Sequence, residues 1–92
     1  MKKPRPARPG EINYPFMDRF TLAHFAIGVI YGRLALSWWL ALTLAVFWEL
    51  IENPLKAYCP RIFPHATADT WQNSLGDCVA VMAGWALVSY LF

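Results

Sequence analysis

Two long apolar stretches dominate the chain. Between residues 20 and 51 only Arg33 and Glu49 are charged, and between residues 70 and 92 only Asp77 is charged. A membrane-spanning helix needs about 20 apolar residues, so the first stretch has the length for two crossings and the second for one. The pattern predicts an all-α integral membrane protein with three transmembrane helices, a hairpin followed by a third helix.

Turn and capping residues divide these stretches into helices. Pro15 suits the first turn of helix one, the Gly32-Arg33 pair suits its C-terminal turn, and Ser37 suits the start of helix two. Pro54, after Asn53, is expected to stop helix two, and the proline-containing segment 54–66 is expected to form an interfacial loop. The predicted helices cover about residues 15–32, 36–53 and 68–92.

Composition and charge agree with a membrane location. The 92 residues are 58% hydrophobic and only 15% charged, which is too apolar for a soluble domain of this size. This excludes disorder, a nucleic-acid-binding module and a conventional soluble enzyme. A cytoplasmic N-terminus leaves only Arg33 of all Lys and Arg residues outside. We therefore expect a multi-pass protein of a bacterial-type cytoplasmic (inner) membrane, with a basic, Pro-rich cytoplasmic tail (1–13) and one three-helix domain (14–92) among membrane lipids.

Several polar residues lie where an apolar helix should have none. His24 lies six residues after Asp18, and Asp77 lies eight after Asp69, which puts them about 9 and 12 Å deeper into the bilayer. A charge at such depth costs about 2.5–3.5 kcal/mol, so these residues usually face the interior of a bundle and mark a site. The predicted topology brings five polar residues to one membrane face, with His24 and Asp77 deeper on the same side; the five are Asp18, Glu49, Glu52, Asp69 and Asn73.

A stripe of small residues accompanies the polar residues of helix three. On a helical wheel the acids and Asn73 share one side with residues spaced as small-xxx-small, which allows another helix to approach closely. Trp71 and Trp85 fall on the opposite side and are expected to meet lipid. We predict close helix packing at Gly28, Gly76, Ala80 and Gly84.

The acids have structural explanations as well. Asp18 and Asp69 lie at predicted helix N-termini, where a carboxylate stabilises the helix dipole, and Asp69 or Thr67 is a candidate N-cap of helix three. Near a helix C-terminus a carboxylate opposes the dipole, so Glu49 is the stronger candidate for a functional role. His24 is a candidate site residue, but it could equally be satisfied by a backbone carbonyl or by Glu49.

The order of these motifs resembles the VanZ-like membrane proteins and the related YjdF-like group. The resemblance covers about residues 18–85 and rests on an Asp-Arg pair, a histidine, a Glu-x-x-Glu motif and an Asp-Asn-Gly series, with an arginine in the loop between. It departs from the VanZ-like pattern at two positions, since Arg19 stands in place of a lysine and Glu52 in place of a glutamine. Members of these groups also usually have additional spans. The resemblance implies a link to reduced susceptibility to glycopeptides such as teicoplanin. The matching residues are Asp18, Arg19, His24, Glu49, Glu52, Arg61, Asp69, Asn73 and Gly76.

The first functional hypothesis is a membrane-embedded site that binds, or acts on, a lipid-linked or phospholipid headgroup. Oxygen ligands favour Mg²⁺, whereas a histidine ligand would admit Zn²⁺ or Mn²⁺. The catalytic candidates are Glu49, His24 and Asp69, the ligands of a divalent cation are Glu49, Glu52, Asp69 and Asp77, and the substrate-binding residues are Arg19, Arg61 and Asn73.

The second hypothesis is a non-catalytic small transmembrane subunit that stabilises a larger membrane protein complex, or a homo-oligomer. The polar cluster would then lock the three helices together, and the small-residue stripe or the tryptophans would dock the partner. A proton or ion pathway is disfavoured, because residues 34–48 and 78–92 carry no charge.

Overall fold

The chain folds into three helices. The computed structural model describes residues 5–12, 14–59, 61 and 70–92, with the backbone alone at residues 53 and 57. Helix α1 covers Arg19–Arg33, α2 covers Trp38–Tyr58 and α3 covers Trp71–Leu91, and the described residues contain no strand. The predicted all-α class is confirmed. Helix α3 is the centre of the arrangement, since α1 packs along it and α2 contacts it, while α2 hardly contacts α1.

Helix α1 begins later than predicted. Asp18 is its N-cap: the carboxylate accepts a hydrogen bond from Phe20 N at 2.9 Å, and Thr21 Oγ1 accepts one from Asp18 N at 2.9 Å. This reciprocal capping box satisfies two backbone donors and defines the start of the helix at Arg19. Pro15 therefore precedes α1 and does not lie in its first turn, which corrects the predicted range 15–32.

The start of helix α3 also differs from the prediction. Thr70 is its N-cap, and its Oγ1 accepts from Asn73 N at 3.2 Å and donates to Tyr14 O at 2.6 Å. The cap is thus neither Thr67 nor Asp69, and the helix does not begin at residue 68. Thr70 takes this role because its hydroxyl can bond the helix and the segment before α1 at the same time.

Helix α2 does not end at Asn53. It continues through Pro54 to Tyr58 and closes with a hydrogen bond from Cys59 N to Leu55 O at 2.8 Å. Proline removes one helical N–H donor but does not prevent the following turn when other contacts hold it. Here Lys56, one turn after Glu52, is buried, with Nζ 3.9 Å from Glu52 Oε1. The predicted range 36–53 is corrected to Trp38–Tyr58.

Helices α1 and α3 meet backbone to backbone. A Cβ atom on Gly28 would overlap the carbonyl oxygen of Val81, and one on Gly84 would overlap the carbonyl oxygen of Phe25. A Cβ on Gly76 would overlap the backbone of Phe16, in the segment before α1. The small-residue stripe, which also includes the buried Ala80, is therefore covered by the chain itself. It does not offer a docking face to another protein, as the subunit hypothesis had allowed.

Trp85 does not face lipid. Its side chain is buried, and its Nε1 donates to Leu36 O at 2.7 Å, in the connection between α1 and α2. The wheel prediction was wrong because it ignored this connection, which folds over the end of α3. Trp71, in contrast, is 72% exposed.

Among the described helices, α3 is long and apolar enough to cross a membrane. Helix α1 has only 15 residues, or about 22 Å of helix, and α2 carries two glutamates, a lysine and a proline. Length and composition therefore indicate one candidate membrane span in the described part of the chain.

Candidate functional site

His24, Glu49 and Asp77 form a buried polar cluster, one residue from each helix. His24 Nε2 lies 3.7 Å from Glu49 Oε1, and His24 Nδ1 lies 3.4 Å from Asp77 Oδ1. One ligand atom from each residue lies within 4.8 Å of the others. The side chains of these residues are 10, 9 and 3% exposed. We call these three residues the trio.

A backbone carbonyl orients the histidine. His24 Nδ1 lies 2.8 Å from Phe20 O, one turn earlier in α1. A carbonyl oxygen only accepts, so Nδ1 carries a proton, and in the neutral ring Nε2 is left with its lone pair. Among the described residues Nε2 makes no hydrogen bond, although it is buried and points towards Glu49. This is the arrangement in which a histidine ligates a metal through Nε2 while Nδ1–H fixes the ring.

The trio lines a partly open cavity of about 300 Å³ between α1 and α2. The cavity exists because α2 rests on α3 without closing against α1. The rest of its wall is mostly apolar, with Val81 of α3 beside Asp77. The other lining residues are Ile27, Tyr31, Leu44, Ala45, Phe47, Trp48 and Ile51.

Asn73 and Asp18 lie outside the trio and hold the start of α1. Asn73 is 1% exposed, and its Nδ2 donates to Pro15 O and to Asp18 Oδ2, both at 2.9 Å. The amide that we predicted to bind substrate is thus used to fasten the segment before α1 to α3. Its partner Asp18 serves as an N-cap, which is the structural alternative stated above.

Among the residues that the structure describes, Glu52, Arg19 and Arg61 are not part of the trio. Glu52 lies one turn beyond Glu49 and pairs with Lys56. Arg19 is exposed, with its guanidinium 5.5 Å from the ring of Phe20, and Arg61 is exposed as well. Asp69, predicted as a catalytic residue and a metal ligand, lies outside the described residues.

Lys56 is a buried charged residue that the sequence pattern does not single out, because Pro54 is expected to end helix two and to leave Lys56 in a loop. The signal was the spacing of Glu52 and Lys56, four residues apart, which places opposite charges on one helix face.

The donor set of the trio suits a divalent cation. One imidazole nitrogen and two carboxylates are ligands that Zn²⁺ and Mn²⁺ accept. Neighbouring ligand atoms on a tetrahedral or octahedral ion of this size lie about 3 to 3.4 Å apart, so the trio, whose ligand atoms lie within 4.8 Å of one another, would draw together around the ion. Three protein ligands leave coordination positions open towards the cavity.

The chain matches no family model, and comparisons with curated proteins and with solved structures found no match. The resemblance to the VanZ-like proteins therefore stays a prediction from the motif order.

Proposed function

We propose that this chain is an integral membrane protein with three spans and a cytoplasmic N-terminus, in a bacterial-type cytoplasmic membrane. Within it, His24, Glu49 and Asp77 hold a divalent cation that binds the phosphate of a lipid headgroup. The observation that carries the proposal is the trio itself: three buried ligands from three helices, within 4.8 Å, beside a cavity. A place among the VanZ-like proteins, with their link to glycopeptide susceptibility, belongs to the same proposal and rests on motif order.

The outer surface supports the membrane part of the proposal. Large apolar side chains are exposed along all three helices, including Leu22 at 75%, Leu50 at 71% and Leu91 at 70%. Large apolar side chains exposed on several helices are unfavourable in water, whereas a bilayer covers them. Phe16 and Met17, before α1, are exposed too and extend its short apolar length. A bilayer also accommodates short helices by local thinning.

The cation site is tested by metal binding to the purified chain in detergent. Mn²⁺ affinity is measured by electron paramagnetic resonance of the free ion for wild type, Glu49→Gln and Asp77→Asn. We expect each variant to bind at least about tenfold more weakly, since each loses a charged ligand. Glu52→Gln is the matched control, because Glu52 lies on the same helix but outside the trio, and it should bind as wild type does. Equal loss in Glu52→Gln, or no binding to wild type, would overturn the proposal.

The number of spans needs a test at the α1–α2 connection, because one span and three spans place the C-terminus on the same side. Ala35 is exposed in this connection. In a background with Cys59 and Cys78 replaced by serine, Ala35→Cys should react with a membrane-impermeant maleimide in intact cells. Pro9→Cys, in the tail, should react only after permeabilisation. Protection of both cysteines in intact cells would contradict three spans with this orientation.

A second candidate function is that of a small subunit in a larger membrane complex. It is favoured by α2, which among the described helices packs mainly against α3 and which exposes Trp38, Trp39 and Leu50. Native mass spectrometry after gentle extraction separates the two functions. An unlike chain at fixed stoichiometry, with no bound metal, would favour the subunit, whereas a single chain or homo-oligomer with metal would favour the cation site.

A further inference from the structure

The cavity beside the trio is a groove with one polar end. Ile27 and Tyr31 follow His24 along α1, and Leu44 and Ala45 precede Glu49 along α2. From His24 to Tyr31 the groove runs about 10 Å along the helix axis. The ionisable groups of the trio therefore lie at the end near the N-terminus of α1, and a mostly apolar wall, which includes the ring of Tyr31, extends away from them towards the α1–α2 connection.

We propose that this groove holds a hydrocarbon chain of an anionic membrane phospholipid, with the phosphate bound to the cation at the trio. The inference rests on the proposed cation site and names the class of its ligand. It also assigns the surface between α1 and α2 to the binding of the lipid's hydrocarbon chain, which the cation site alone does not require.

Size and polarity favour a hydrocarbon chain in the groove. A volume of about 300 Å³ lies at the small end of ligand pockets and is too narrow for a further helix. The apolar wall offers a polar occupant few hydrogen bonds, so such an occupant would lose its hydration without replacement. Because the groove is partly open between α1 and α2, a chain can enter sideways from the bilayer.

Charge complementarity favours an anionic headgroup once the cation is bound. Glu49 and Asp77 as carboxylates balance the two charges of the ion, and the ion keeps open positions that a phosphate oxygen can fill. Without the cation the same carboxylates would repel a phosphate. Binding of the lipid and binding of the cation should therefore strengthen each other by the same factor.

The experiment uses the full chain in detergent, with native mass spectrometry as the readout of bound metal and bound lipid. Dioleoyl phosphatidylglycerol is the anionic probe, and dioleoyl phosphatidylcholine and phosphatidylethanolamine are compared with it, each with and without Mn²⁺. Leu44→Trp narrows the groove, and Leu42→Trp is the matched control, since Leu42 is an exposed residue of the same helix outside the groove. Circular dichroism spectra and melting curves of both variants establish that they fold.

We expect one phosphatidylglycerol per chain in the presence of Mn²⁺ and about tenfold less without it. Leu44→Trp should lower retention by about tenfold, while Leu42→Trp retains the lipid and both keep the metal. Equal retention of phosphatidylglycerol by the two tryptophan variants would overturn the proposed binding of the hydrocarbon chain in the groove, without contradicting the cation site. Preference for phosphatidylethanolamine without metal would overturn the anionic ligand. If wild type binds lipid but no Mn²⁺, the proposed function itself fails.

Discussion

Along the contact between α1 and α3 the two backbones touch, whereas α1 and α2 leave a cavity of about 300 Å³ between them. The close contact depends on Gly28 and Gly84, each of which faces a carbonyl oxygen of the other helix. The open side depends on α2, which rests on α3 and keeps its distance from α1. One pair of helices thus forms a scaffold, and the third helix completes a site against it.

The polar residues at the α1–α3 contact also differ from those at the cavity between α1 and α2. On the scaffold, Asn73 uses its amide for two hydrogen bonds within the chain. In the trio, His24 Nε2 makes no hydrogen bond among the described residues, and two carboxylates lie close to it. A buried polar group with its bonds made stabilises a fold, whereas buried charges gathered at one point are costly and usually serve a ligand. Asn73 therefore has a structural role within the chain, and the trio contains the candidates for ligand binding.

The largest effect should follow from breaking the scaffold at Gly28. Gly28→Leu places a side chain into the backbone of Val81, so α1 and α3 must separate. We expect a loss of about 3 kcal/mol in the free energy of unfolding, with the trio dispersed. Ala26→Leu, on the exposed side of the same helix, is the control and should melt in detergent as wild type does. Equal melting temperatures for the two variants would show that the close contact between α1 and α3 at Gly28 does not hold the fold together.

Removal of the Asn73 amide should have the next largest effect. Asn73→Ala loses the hydrogen bonds to Pro15 O and to the Asp18 carboxylate, and we expect a loss of about 2 kcal/mol. Hydrogen exchange should increase at residues 14–18, where the segment is fastened. Gln72→Ala, at a half-buried neighbouring position, is the control. Unchanged exchange in Asn73→Ala would remove Asn73 from the scaffold.

Neutralising Glu49 should raise, and not lower, the stability of the metal-free protein. Glu49→Gln removes one of two buried carboxylates that lie near each other, so the metal-free protein should gain about 1 kcal/mol at neutral pH. The same variant should lose the stabilisation that Mn²⁺ confers on wild type. Thermal melting with and without Mn²⁺ measures both effects. A lower melting temperature without metal would mean that Glu49 is a structural partner of His24. Glu49 would then stabilise the fold, as Asn73 does.

A smaller loss of stability is expected where Trp85 of α3 contacts the α1–α2 connection. Trp85→Phe keeps an aromatic ring but removes the hydrogen bond to Leu36 O, and should cost about 1 kcal/mol. Trp71→Phe, at an exposed position of the same helix, should leave the melting temperature unchanged. If both substitutions have the same effect, the α1–α2 connection is not held by Trp85.

The smallest effect concerns the tail, outside both regions. Arg5 donates two hydrogen bonds to the Glu11 carboxylate, at 2.8 and 2.5 Å, and Arg8 N donates a third at 2.8 Å. These bonds, with the Arg5 bonds as the largest cause, lower the pKa of Glu11 from 4.5 to about 2. Because the pKa is lowered, this interaction is fully present above pH 4.5 and is lost as the pH falls through about 2.

Nuclear magnetic resonance titration of the Glu11 carboxyl in micelles tests this. In Arg5→Ala the midpoint should move up towards 4.5, whereas Arg8→Ala keeps its backbone N–H and should move it less. The site is exposed to solvent, so melting curves should not change measurably. A midpoint that does not respond to Arg5→Ala would place the tail pair outside the folded structure.

Much of the helical layout follows from the sequence alone. The spacing of charges in the two apolar stretches predicts three helices, and the turn residues predict that helix two begins at Ser37 or a neighbour, which agrees with the observed N-cap at Ser37. The predicted boundaries were wrong where two local signals competed. Pro15 and Pro54 are strong signals in isolation, but the capping box at Asp18 and the burial of Lys56 outweigh them. The capping box and the Glu52–Lys56 pair are themselves local, but the burial that gives Lys56 its weight depends on residues elsewhere in the fold.

For the site, the sequence determined which residues are out of place in an apolar helix, since the cost of burying a charge depends on residue type and depth. His24 and Asp77 are identified in this way, and Glu49 by its predicted position near a helix C-terminus, where a carboxylate opposes the dipole. Only the tertiary structure decided that these three meet, while Asn73 and Asp18 bond the scaffold and Glu52 turns to Lys56. That choice depends on the rotation of each helix and on how closely the helices approach. Both are set by side-chain volume at the contacts, above all by the glycines that let α1 and α3 meet backbone to backbone while α2 packs on α3.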